Sequence, residues 1–178
     1  MKIEPMNNIS AERAHDMIVS NIHINDSYIQ GKLSIENENF DHEIYIENSI
    51  LENFSGSMTR FKQRVTFSNC KFLNCEFVSS YFFGGLKIEN CVFKNYLDFQ
   101  TGGHNQNGNK VDITNNTFEG FVNFFDCIFE DQVTIIKNYF LKGTNLLGKP
   151  HNVSVSFEKG KKIIENTGTI NLNDEGLD

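Results

Sequence analysis

No tryptophan occurs in this chain of 178 residues, and proline occurs only twice, at Pro5 and Pro150. No apolar run approaches the roughly 20 residues of a membrane-spanning helix, so no contact with a membrane is expected. The opening Met1-Lys2-Ile3-Glu4-Pro5 lacks the apolar stretch of a signal peptide, which makes a cytoplasmic protein the expectation. Four cysteines stand at 70, 75, 91 and 127 without a CxxC pair, among Phe and Asn rather than His. They read as reduced thiols in packing slots, not as disulfides or metal ligands. Nucleophile elbows, phosphate loops and zinc motifs are missing, and His15, His23, His42, His104 and His151 are scattered. The expectation is therefore a protein without catalytic residues, metal or cofactor.

Base is scarce at the start of the chain. Residues 1–56 carry ten acids against three bases, whereas residues 57–178 carry 13 of each, so the whole net charge of -7 belongs to the first third. Such a field repels phosphate and argues against direct binding of nucleic acid there.

Phenylalanine and asparagine are abundant, and phenylalanine is periodic. Phe67, Phe72, Phe77 and Phe82 stand five apart, with Val65, Cys70, Cys75 and Ser80 two residues before them. A helix would scatter a five-residue period around its surface, and one strand would alternate with period two. A coil with four short sides, each turning one large residue inward, accounts for it. The register extends to Ile24, Ile29, Ile35 and Phe40, then to Ile46, Leu51 and Phe61, with Gly56 weak on the third side. It continues through Ile88, Phe93 and Phe99, then Ile113, Phe118, Phe124 and Phe129, then Ile135, Phe140 and Leu146. Val155 is expected to open a seventh coil under Ile135. Asn48, Asn69, Asn90 and Asn115, and Asn53, Asn74 and Asn95 on the next side, follow the inward residues by two, where turns are needed. Each coil buries its inward side only against its neighbours.

The block Val65–Gly84 resembles the pentapeptide-repeat proteins, and the likeness extends over residues 22–157. It implies an all-β fold: a right-handed parallel, quadrilateral β-helix of about six to seven coils. The chain departs from the family pattern in its Ile and Phe centres, in large residues at Ile44, Val65, Leu86, Val111 and Val133, and in six-residue steps such as Phe82 to Ile88. These departures put a square cross-section in doubt.

Residues 1–21 are expected to cap the rod with a short helix over 10–20, N-capped by Ser10 and with Ala11, Ala14, Met17 and Ile18 on its apolar face. Residues 158–178 form the other cap, with a frayed tail over 174–178. The interruption Gly102–Asn109 is expected to project as a loop, which makes His104, Asn105, Gln106 and Asn107 candidate partner contacts. Val78, Phe125 and Leu147 are outward yet apolar on the third side, and complete the candidate contact set. The expected function is non-enzymatic binding of a protein partner, or of a second copy, through shape, charge and loop 102–109. The family resemblance implies an alternative: some members imitate duplex DNA and bind type II topoisomerases. Carbohydrate processing, known from larger β-helices, would need clustered carboxylates. Glu76 with Asp98, and Glu47 with Glu89, are the columns that come nearest.

Overall fold

A computed structural model of the protein describes residues 7–106 and 108–176. Every strand pairing in it is parallel, and stacked coils form a β-solenoid of about six turns. The pairings define four sides. The first is a seven-stranded sheet, Ile24–Asn25, Ile44–Glu47, Val65–Ser68, Leu86–Glu89, Val111–Thr114, Val133–Ile136 and Lys161–Ile164 in order. The second stacks Asn7–Ser10 on Ser27–Ser34, Ile50–Ser55 and Lys71–Glu76, then on Val92–Phe93, Thr117–Phe118 and Tyr139–Phe140. The third side begins where those three long strands turn its corner, and continues through Leu97–Asp98 and Val122–Asn123 to Thr144. The fourth runs Asn39–Phe40, Arg60–Phe61, Tyr81, Gly103, Ile128–Phe129, Ser156–Phe157.

All the inward residues read from the period are buried from Ile24 to Leu146. Rings stack coil upon coil: Phe72, Phe93, Phe118 and Phe140 lie nearly parallel, with centroids 4.7 to 5.1 Å apart. That separation is the spacing of neighbouring strands, so each ring covers the next.

The large residues that depart from the repeat have a structural reason. On the first side Ile44, Val65, Leu86, Val111 and Val133 are buried beside the central residue, so each four-residue strand turns two side chains inward. On the third side Phe54 was not foreseen. It is buried two residues before Gly56, and a Cβ on Gly56 would meet the Phe77 ring at 3.1 Å and the Phe54 ring at 3.4 Å. The Phe54 ring fills the space that Gly56 leaves.

The corners between the first and second sides are left-handed: Asn48, Asn69, Asn90 and Asn115 have φ of 48 to 57°. Asn accepts this conformation better than most residues, which explains its recurrence. Asn53, Asn74 and Asn95 instead form a side-chain ladder, with Asn74 donating to Asn53 at 2.8 Å and Asn95 to Asn74 at 2.9 Å.

At the near end, helix Ala11–Val19 begins at Ser10, whose hydroxyl accepts from the Arg13 amide at 3.1 Å. Ala14 and Ile18 are its buried residues. Strand Asn7–Ser10, unanticipated, pairs with Ser27–Ser34 before the helix starts. At the far end the register differs from the expectation. Ile163, not Val155, pairs with Ile135. Val155 precedes Ser156–Phe157, which closes the fourth side of coil six, where Phe157 stacks on Phe129. The chain reaches that side by a long corner over Leu147–Val153 containing left-handed His151 and Asn152, which no five-residue period encodes. Over Asp174–Gly176 the tail is packed rather than frayed. The Asp174 carbonyl accepts from Asn145, and Gly176 lies against the Phe121 ring. Leu177 and Asp178 lie outside the described residues.

Candidate functional site

Gly102–Asn109 does not leave the rod as a free projection. Gly103 pairs with Tyr81 and with Ile128, and so forms the fourth side of coil four. With φ of +106°, and with the Ile128 carbonyl only 2.3 Å from where a Cβ would stand, this position admits only glycine. Asn105 is fully buried, donating to the carbonyls of Asn109 at 2.8 Å and Gln132 at 3.3 Å. Polar side chains can enter the solenoid when backbone groups there need partners, which the absence of apolar residues concealed. Asp131 completes the tether. Its carboxylate accepts from the Gly108 and Gln132 amides and from Lys159, and Lys159 foremost holds its pKa down at about 2.

What this segment does present is His104. Its ring lies 4.5 Å from that of Tyr81, and its Nδ1 is 2.9 Å from Glu130. This contact holds the Glu130 carboxyl below its ordinary range. The Arg60 guanidinium sits 5.7 Å over the far part of the cluster, on the Tyr81 ring. Gln106 is half-buried, and Asn107 lies outside the described residues.

The apolar third-side residues fall at one corner. The Val122–Thr144 pairing sets Phe125 beside Leu147. Leu147 is 39% exposed, whereas Phe125 and Val78 are half-buried, and the His151 ring meets Phe125 edge-on at 5.8 Å. The structure thus separates the candidate contacts into a fourth-side cluster and a third-side corner. Tyr139 and Leu141, at 56% and 63% exposed, are more open than either.

Sequence reasoning missed a third feature, a groove of about 300 Å³ along the outside of the third side across coils one to four. Glu76 and Asp98, paired in register, line it with Ser55 and Tyr96. Asp98 is set by neighbours. Its Oδ1 accepts from the Gln100 amide and from Asn123, and Asn123 in turn accepts from Asn145 at 2.7 Å. Burial pushes the Asp98 carboxyl up, as do the Glu175 and Glu76 charges. Ser55 Oγ and Tyr96 Oη are buried without a well-aligned hydrogen bond. Ser55 is close enough to Glu36 to hold that carboxyl down; burial pushes the Tyr96 phenol up, while its contact with Asn123 acts the other way. The Glu76–Asp98 register was the visible signal in the sequence; the groove around it was not.

Among the described residues no group of three His, Cys, Asp or Glu is placed to hold a metal, and no helix is long and apolar enough to cross a membrane. The four thiols are buried, and burial raises those of Cys75 and Cys127. Compared with protein-family models, curated proteins and solved structures, the chain has no match.

Proposed function

We propose that this protein is a non-enzymatic scaffold that binds another protein through the outer surfaces of its third and fourth sides. The observation that carries this reading is the groove lined by Ser55, Glu76, Tyr96 and Asp98, whose two carboxylates stand in register and outside any ion pair among the described residues. Carboxylates that meet no cation within the chain can take one from a partner. The fold itself consumes the inward residues, so recognition falls to the outward ones. The cluster of Tyr81, His104 and Glu130 and the corner of Phe125 and Leu147 supply further contact surface beside the groove.

The test is capture from the source cell with the wild-type chain beside Phe125→Asp and Glu76→Gln/Asp98→Asn variants of unchanged thermal stability. The expected result is one or more proteins held by the wild type and released by a variant. Identical eluates from wild type, variants and bare matrix would overturn the reading. A second reading, imitation of duplex DNA toward a type II topoisomerase, draws on the acid excess of residues 1–56 and on the stacked Glu76 and Asp98. Unaltered gyrase supercoiling, with no drug protection at micromolar protein, would dismiss it.

A further inference from the structure

We infer that the two ends of the rod fit one another, so that the far end of one copy docks on the near end of the next and the chain assembles head to tail. The inference concerns the ends alone and is independent of the side-face reading above. It starts from an asymmetry. At the near end, helix Ala11–Val19 crosses the core. Ala11 lies beside Gly31, His15 Nε2 is 2.8 Å from Glu38, and His42 Nε2 donates to the Ile18 carbonyl at 2.8 Å. The far end has no such lid among the described residues. Lys161–Ile164 is the last strand of the first-side sheet, with one edge unpaired. Phe157, Ile163 and Ile170 pack against the core there yet stay half-exposed. A free strand edge beside apolar side chains is a surface that another chain can cover.

Lys161 makes the far end specific. Its register places it at the foot of the buried aliphatic column Ile44, Val65, Leu86, Val111 and Val133. Its ammonium lies 4.4 Å over the ring of Phe157, which ends the fourth-side stack, and is in no ion pair among the described residues. A partner that covers Phe157 and Ile163 must bring a carboxylate to this ammonium, because a cation shut into an apolar contact without one is costly. The near end carries such groups. Ala14 and Ile18 face the core, so the opposite side of the helix presents Glu12, Asp16 and Val19, all exposed. Val19 and Ile22 are exposed apolar residues at this end, as Ile164 is at the other. Residues 7–26 hold the acids Glu12, Asp16 and Asp26 against one base, Arg13. Residues 156–170 hold the bases Lys159, Lys161 and Lys162 against Glu158 and Glu165. Unlike ends therefore attract and like ends repel, which selects a second copy in the same orientation over one turned end to end. Four sides of about five residues make an end face roughly 17 Å across, on the order of 300 Å² per copy. That is small for a stable interface, so association is weak and depends on concentration. A contact between unlike ends leaves one free end of each kind, and assembly runs on into open chains.

Sedimentation velocity of the full chain over a series of concentrations reads this assembly. The weight-average mass should rise with concentration without settling at a dimer, and should fall at high salt. Lys161→Glu/Lys162→Glu at the far end and Glu12→Lys/Asp16→Lys at the near end should each leave a monomer, with circular dichroism showing both folded. Mixed in equal amounts, the two variants should associate again, because each then meets an end of opposite charge. A wild type that stays monomeric at its highest soluble concentration overturns the inference. So does a near-end variant that assembles as the wild type does, which would assign the contact to two far ends, or a mixture that stays monomeric. None of these results bears on a partner captured through the third and fourth sides, so the scaffold reading fails only on its own test.

Discussion

Coils one to three and coils four to six stack the same inward columns but fasten successive turns differently. In the early coils the slot before the second-side residue holds Ser27, Ser49 and Cys70, with Cys91 opening coil four, and turns are short: 21 residues separate Cys70 from Cys91. The Cys70 amide there donates to Cys91 Sγ at 3.4 Å. In the later coils the slot holds Asn116, Asn138 and Asn166, and turns measure 25 residues between Cys91 and Asn116, 22 between Asn116 and Asn138 and 28 between Asn138 and Asn166. There the Cys91 amide donates to Asn116 Oδ1 at 2.8 Å, while Asn116 Nδ2 donates to the Ile88 carbonyl at 3.0 Å. The bonding plan is the same, with amide oxygen and nitrogen in place of sulfur. Sulfur is the weaker acceptor and donor, so the later turns are tied by the stronger groups. The slot is thus a hydrogen-bonding position, and smallness is only one way to fill it.

The outer surface of the third side differs too. Along the late coils Asn123 and Asn145 are buried there, and Asp174 lies over Asn145. Along the early coils the corresponding positions, Glu76 and Asp98, border an open groove. The same face is closed by the chain's own segment in one half and available in the other.

Four measurements would break or sharpen this comparison. The largest effect belongs to the shared column. Phe72→Ala should cost about 3–5 kcal/mol in chemical denaturation, against about 1–2 kcal/mol for Phe157→Ala, whose ring is partly exposed at the far end. Equal losses would mean that the end coil is as well packed as the middle. Next comes the slot. Asn116→Ala strands the Cys91 amide and the Ile88 carbonyl and should cost about 3 kcal/mol, whereas Cys91→Ala should cost about 1 kcal/mol. A Cys91→Ala loss equal to that of Asn116→Ala would refute the difference between the halves.

Asp131 ties coil four to the far end, and its pKa, held down at about 2, fixes the sign of a pH effect. A depressed carboxylate stabilises the fold above its unfolded pKa of about 3.9, and that stabilisation is lost as pH falls toward 2. Asp131→Asn should therefore lower the melting temperature at pH 6 and change it little near pH 2. A gap between the two proteins that persists at pH 2 would assign the effect to packing. The smallest effect concerns an exposed pair of the early coils. Lys62→Met breaks the contact with Asp41 and should change stability by less than about 0.5 kcal/mol.

The sequence by itself determined the solenoid, its four-sided register from Ile24 to Leu146, the left-handed Asn corners and the N-capped helix. It could do so because an inward residue every five positions and a turn residue two beyond it are local requirements, repeated until chance is excluded. Tertiary structure decided what depends on a neighbouring coil or a distant segment. Phe54 fills the gap at Gly56, Asn105 and Asn116 bury themselves to serve backbone groups of other coils, and Ile163 displaces Val155 from the first column. The groove over Glu76 and Asp98 is of the same kind: their pairing is readable as a register, but the groove itself arises only when four coils stand side by side.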